Sequence, residues 1–516
     1  MKRTLWARLL KYARRAVVLA GVVVATLLGA RALDAWRSEP LKPWHTFAPE
    51  ELSRDELEHA TWERYLAAEQ RIFTEVRAKV SDRLTPELRA GLNRYAPGSR
   101  VYPGNFATDW NRSIILEPDG APRGAAVFLH GLTDAPYSLR HIARRYRDAG
   151  FLAVLIRMPG HGATPGGLTG VEWEDWLAAT HLAVREARKR SGPDKPLHVI
   201  GYSNGGALAL MYAMDAMDNA ALARPDRLVL LSPMVGVTAF ARFAGLAGLP
   251  AIFPPFAKSA WLGVQPEFNP FKFNSFPVNA ARQSHLLTSA LQQRLLAHAR
   301  DNRWQGMPPV LTFQSTVDAT VSSQAVTDAL YALLPANGSE LVLFDINRSP
   351  HFTPLFRPGL AAGSERIRAG SPRRFRLDVI TAAESGAAVA HVTEAGAATE
   401  RTEELGLSWP RDVFSLSHVA LPFPMQDGLY GLTPDPADDF GVTLGALAIR
   451  GERGALVVGM DSLLRMSSNP FYPYVINRIM ANVGQGGGAG QGGTGQGEVS
   501  QGRASQGDAR NDKAGR

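Results

Sequence analysis

The chain has 516 residues with a formal charge of +8; 45% of them are hydrophobic, 20% are charged, and none is cysteine. That apolar content is ordinary for a globular protein, and the length allows one large core with additions or two domains. The missing cysteines exclude disulfides, thiolate metal sites and cysteine nucleophiles, and the basic balance comes with no interleaved aromatic–basic motif of the kind that binds nucleic acid.

The charge is uneven. Lys2, Arg3, Arg8, Lys11, Arg14 and Arg15 fall in the first fifteen positions with no acid among them. Residues 16–30 are an apolar run, and extension to Leu33 with Arg31 snorkelling makes a helix of about 27 Å, close to the roughly 30 Å of a bilayer core. The basic flank predicts a cytoplasmic N-terminus (1–15), a single-pass inner-membrane signal anchor (16–33) and a main body across the membrane, periplasmic in a Gram-negative host. The alternative is a secreted protein, because Ala30-Arg31-Ala32 loosely fits a small-x-small cleavage site.

Residues 34–98 form a helical connector, with Leu57, Trp62, Tyr65, Leu66, Ile72 and Val76 as an apolar stripe. Strands then alternate with helices: strands at 113–117, 125–129, 151–156, 197–200 and 227–231, helices at 137–148, 172–190 and 205–216. This rhythm predicts an α/β fold, a mostly parallel sheet with helices on both faces. Residues 235–306 interrupt it with Phe240, Phe243, Phe253, Phe256, Trp261 and further aromatics, as a cap inserted over a site would. The pattern resumes with a strand at 309–314, a helix at 322–334 and a strand at 340–346, closing a core over 99–350. A C-terminal extension follows over 351–483, with strands near 374–381, 442–449 and 454–458 and a helix near 470–481. The Gly/Gln-rich 484–516 has almost no apolar content and reads as a disordered tail.

Gly201-Tyr202-Ser203-Asn204-Gly205 sits between the strand Leu197-His198-Val199-Ile200 and a helix. A strand, a tight turn and a helix with serine at the apex expose a strained nucleophile. His130-Gly131-Leu132 follows the strand at 125–129, so the Leu132 N–H, with that of Asn204, is a candidate donor to a developing oxyanion. His130 orders that loop, and His161, in Pro159-Gly160-His161-Gly162, is structural. Asp318, after the strand at 309–314, is placed to orient an imidazole; Asp345, on or beyond the next strand, is a weaker candidate. For the base, spacing alone favours His351, directly after the strand at 340–346. His418, in Ser415-Leu416-Ser417-His418-Val419-Ala420-Leu421-Pro422-Phe423, requires an insertion of roughly seventy residues.

His130-Gly131, Pro159-Gly160-His161-Gly162, Gly201-Tyr202-Ser203-Asn204-Gly205 and Asp318-Ala319-Thr320-Val321 resemble membrane-anchored bacterial α/β-hydrolases of carboxylesterase type, near the monoacylglycerol-lipase and serine-aminopeptidase-like (S33) group. The resemblance spans about 100–350, and less securely 370–480. It implies the α/β-hydrolase fold and favours His418 as base, since the Ser-Leu-Ser-His-Val-Ala-Leu-Pro-Phe stretch looks like the recurrent one. The expected activity is cleavage of hydrophobic or lysophospholipid-like carboxylic esters by Ser203, Asp318 and His418, with no metal or organic cofactor. Aminopeptidase or thioesterase chemistry on the same triad, or a catalytically silent binding protein at the membrane, are the alternatives. The expected partners are a small-molecule or lipid ester and the membrane.

Overall fold

The computed structural model describes residues 2–37, 40–236, 251, 254–318, 320–347, 372–383, 385–410, 413–445, 464–481 and 483. Its strands are β1 (Ile114–Leu116), β2 (Gly124–Leu129), β3 (Phe151–Ile156), β4 (Leu197–Tyr202), β5 (Arg227–Leu231), β6 (Trp261–Gly263), β7 (Phe276–Pro277), β8 (Val310–Ser315), β9 (Glu340–Phe344), β10 (Arg376–Ala382), β11 (Ala387–Thr393), β12 (Arg401–Ser408), β13 (Val413–Leu416) and β14 (Leu464–Met466). Ten of them form one sheet in the order β1-β3-β2-β4-β5-β8-β9-β10-β11-β12. The seven from β3 through β10 in that order run parallel, whereas β1, β11 and β12 pair antiparallel at the two edges.

Every residue of β2, β3, β4 and β5 is buried, which is why these segments are continuous apolar runs: a parallel sheet is covered on both faces. Successive side chains alternate between the two cores. Val127 and Leu129 enter one, with Trp176, Leu208 and Leu291; Ala126 and Phe128 enter the other, with Tyr146, Leu421 and Val475.

The connector is part of the body. Leu57, Trp62 and Tyr65 join the first core, Ile72 and Val76 a smaller cluster with Trp44 and Tyr95, and Leu66 is half-buried. Polar ties reinforce the apolar ones: the Arg157 guanidinium pairs with both Glu51 oxygens at 2.7 and 2.9 Å and with Glu69 at 3.1 Å. Ahead of it, residues Lys2–Arg37 form one helix, in which Lys11–Ala30 is long and apolar enough to cross a membrane.

Part of the aromatic insertion packs on the sheet. Val278–Arg300 is a helix whose Leu287, Leu291 and Leu295 lie in the first core, so this part of 235–306 flanks the sheet. Residues 237–250, 252 and 253, with Phe240, Phe243 and Phe253, lie outside the described residues. So do the expected strand at 454–458, residues 446–449 of the expected strand at 442–449, and the tail 484–516; Val442–Gly445 is not strand. After β9 the chain adds the edge strands β10–β12, of which sequence pattern marks only the first. β12 is exposed and half-buried in alternation and carries Glu and Arg outward, which blunts the sheet edge.

Candidate active site

In the sheet order, β3 lies on one side of β2 and β4 on the other. The chain therefore leaves the carboxyl ends of β2 and β4 in opposite directions, opening the crevice in which α/β sheets place their ligand sites. Ser203 follows β4 at that point, with φ +55° and ψ −116°. This is a conformation disfavoured for a residue with a side chain, and it persists only where the surroundings enforce it. The backbone does so: Ser203 N–H donates to Leu231 O at 2.9 Å, and the N–H groups of Gly206 and Met234 donate to Ser203 O, each at 2.9 Å. Glycines let strand and helix nearly touch. A Cβ at Gly205 would stand 2.0 Å from Leu129 O, and one at Gly201 2.4 Å from Gly205 O.

His418 Nε2 lies 3.0 Å from Ser203 Oγ, and His418 Nδ1 lies 2.8 Å from Asp318 Oδ2. A carboxylate only accepts, so Nδ1 carries the proton and Nε2 is free to accept the Ser203 O–H. The Tyr202 ring stacks on the imidazole at 5.5 Å. Asp318 Oδ1 accepts from the N–H groups of Thr320 at 2.8 Å and Val321 at 3.1 Å, and Oδ2 also accepts from Gln314 Nε2 at 3.1 Å. Burial pushes the Asp318 carboxyl up, but its interaction with the His418 imidazole and the N–H groups of Val321 and Thr320 outweighs this and holds the group below the usual carboxylate range. Gln314 is a site residue that motif reading misses; its one signal is an amide in an otherwise apolar strand end, Val310-Leu311-Thr312-Phe313-Gln314.

The long spacing before His418 has a simple geometry. Asn347, just past β9, donates its N–H to Phe414 O at 2.7 Å and its side-chain amide to Val413 O at 3.0 Å. The two ends of the excursion thus meet, and His418 emerges beside β9 much as a residue a few positions after it would. His351 lies outside the described residues. Asp345 is hydrogen-bonded to Thr316 at 3.3 Å, while Asp318 is the acid that meets the imidazole.

The loop after β2 packs against the serine, since a Cβ at Gly131 would be 3.3 Å from Ser203 Cβ. Among the described residues the N–H groups of Leu132 and Asn204 have no hydrogen-bond acceptor. His130 Nε2 accepts the Met158 N–H at 3.0 Å, so its Nδ1–H donates to Gly131 O at 2.9 Å. Burial pushes His130 down to about 3 and His161 well below the ordinary histidine value. His161 Nδ1 meets Pro159 O at 3.0 Å, and the two rings lie 5.1 Å apart. Both histidines are neutral struts of the site wall. Among the described residues no group of three or more His, Asp or Glu side chains is arranged to hold a metal ion.

The family model described as serine aminopeptidase, S33, matches residues 120–344. A thermostable monoacylglycerol lipase from Bacillus sp. (strain H-257) is 31% identical over 99 residues, covering 19% of this chain. This chain spans 38% of the length of that curated relative. Among solved structures, one from a report on the metagenome-derived lipolytic enzymes LipS and LipT aligns at 20% identity and a TM-score of 0.37, over 46% of this chain and 87% of its own. A Paleococcus ferrophilus monoacylglycerol lipase aligns at 17% identity and a TM-score of 0.34, over 50% and 95%. Residues 120–344 thus match this family model, and the parallel sheet with the strand–serine–helix turn at its switch point has the α/β-hydrolase fold.

Proposed function

We propose that this protein is a serine hydrolase that cleaves carboxylic esters through an acyl-enzyme. The observation that carries this reading is the continuous chain of hydrogen bonds from Ser203 Oγ through His418 to Asp318. Ser203 Oγ attacks the ester carbonyl as its proton passes to His418 Nε2, and Asp318 stabilises the imidazolium that forms. The N–H groups of Leu132 and Asn204 receive the oxyanion, each contributing on the order of 100- to 1,000-fold. Collapse of the tetrahedral adduct breaks the C–O bond, and His418 returns the proton to the leaving alcohol. Water then attacks the acyl-enzyme by the same route, regenerating Ser203.

A hydrophobic acyl ester is the substrate class we favour, by analogy with the lipase relative. In the same reading the helix containing Lys11–Ala30 anchors the enzyme in the inner membrane, with its basic N-terminus cytoplasmic and the hydrolase domain periplasmic. The test is fluorophosphonate labelling of the full chain, with p-nitrophenyl ester turnover measured alongside. Wild type should gain one adduct on Ser203, and Ser203→Ala and His418→Ala should lose at least about a thousandfold in kcat. A folded wild type with no adduct and no turnover refutes the proposal, as does a His418→Ala variant of near-normal rate.

A further inference from the structure

The loop that carries the Leu132 N–H is held from outside by the segment between β6 and β7. Two consecutive residues of that segment reach two consecutive carbonyls of the loop: Lys272 Nζ donates to Leu132 O at 3.3 Å, and the Phe273 N–H donates to Thr133 O at 2.8 Å. The loop needs such support. Thr133 has φ +61°, an uncommon conformation for a β-branched residue, costing on the order of 1–3 kcal/mol unless neighbours impose it.

The supporting segment is itself rigid. Glu267, buried, accepts the N–H groups of Asn274 at 3.0 Å and Ser275 at 2.9 Å. Asn269 accepts the Phe271 N–H and donates to the Tyr430 hydroxyl, and the Phe271 ring stacks on Tyr137 at 4.4 Å. Lys272 is therefore presented from a fixed backbone, its stem half-buried, with Leu132 O as its one hydrogen-bond partner among the described residues. Asp134 is buried two residues past Leu132; burial raises its carboxyl, and Lys272 is the first of the groups that draw it back down.

We propose that Lys272 is a positioning residue for the oxyanion-binding loop: it holds Leu132 through its carbonyl. The inference rests on the esterase reading above. Its effect belongs to the transition state, because the fixed donor matters most once the carbonyl oxygen becomes anionic.

The test compares wild type with Lys272→Met and Lys272→Arg, using a p-nitrophenyl ester and a trifluoromethyl ketone, which binds serine hydrolases as an anionic tetrahedral adduct. Lys272→Met should lower kcat about 10- to 100-fold with KM within threefold, and weaken the ketone by a similar factor. Lys272→Arg should lie within about fivefold of wild type. A kcat for Lys272→Met within threefold of wild type, a loss expressed wholly in KM, or unchanged ketone affinity overturns the proposal. So does a chain that folds only with a cation at 272, which marks a structural role. A wild type with neither turnover nor a Ser203 adduct refutes the esterase reading instead.

Discussion

Gly205→Ala tests how closely the serine turn is built against its neighbour. The added Cβ would lie 2.0 Å from Leu129 O, 2.5 Å from Leu129 C and 2.7 Å from His130 O. All three are backbone atoms at the end of β2, so no side-chain rotation relieves the contact. Reaching even 3.0 Å requires the helix Asn204–Asp218 and β2 to separate by about 1 Å, since close packing leaves no slack. Overpacking of this kind costs about 1–3 kcal/mol, against which an alanine in a helix gains at most about 1 kcal/mol over glycine. The separation also moves Ser203, which begins the helix, away from the loop carrying Leu132. A 1 Å misplacement in a reacting constellation costs on the order of 100-fold in rate. The expected outcome is a lower Tm and a fall in both p-nitrophenyl ester turnover and the fluorophosphonate labelling rate of about 100-fold. Gly170→Ala is the control, because a Cβ there meets nothing within 4 Å and its φ is −119°. It should leave turnover unchanged and shift stability by less than about 1 kcal/mol. If Gly205→Ala keeps full labelling rate and the Tm of wild type, the argument from close backbone approach is wrong.

Two further outcomes follow from buried polar groups. Asp427 accepts Arg140 at 2.6 Å, Tyr137 at 3.0 Å and the N–H groups of Leu429 and Tyr430, and meets His141 at 2.9 Å. Asp427→Ala leaves the fully buried Arg140 with Asp438 as its remaining carboxylate and should cost about 3–5 kcal/mol in denaturant unfolding; a loss under 1 kcal/mol would contradict this. His198 is pushed down to about 3 by burial and by the Arg227 charge. Its neutral form stabilises the fold above the unfolded value of about 6.5, and that contribution is lost as pH falls through the window down to about 3. His198→Asn removes the titration, so its stability deficit relative to wild type should shrink by roughly 2–3 kcal/mol between pH 7 and pH 4.5. A deficit independent of pH would show that His198 does not carry this shift.

Local order was legible in the chain wherever one segment specified it. The buried parallel strands show as continuous apolar runs because both faces are covered, and Ser203 is marked by the glycines on either side of its turn. His130 and His161 were readable as loop struts from their Gly-rich turns. The lengths of the strands at 151–156 and 227–231 could be read directly, whereas the helix expected at 322–334 is a short α-turn, Ser323–Val326, continued by a π-turn to Tyr331.

What the linear order did not carry is contact between segments far apart in it. Spacing pointed to His351 because a base commonly follows β9 at short range, and only the closure of Asn347 onto 413–414 explains how His418, after three added edge strands, reaches Ser203. Resemblance, not spacing, had favoured that histidine. Gln314 beneath Asp318 and Lys272 against Leu132 were invisible for the same reason: a single amide or ammonium has no periodicity, and its role depends on a partner more than a hundred residues away for Lys272 and on a bend in the chain for Gln314. By itself the sequence determined the parallel strands at the centre of the sheet, the serine turn and the apolar N-terminal helix, each of which depends on side-chain pattern within a few turns of chain. The tertiary structure decided which acid meets which histidine, because hydrogen bonds are directional and hold at about 3 Å, a precision that only the folded backbone supplies.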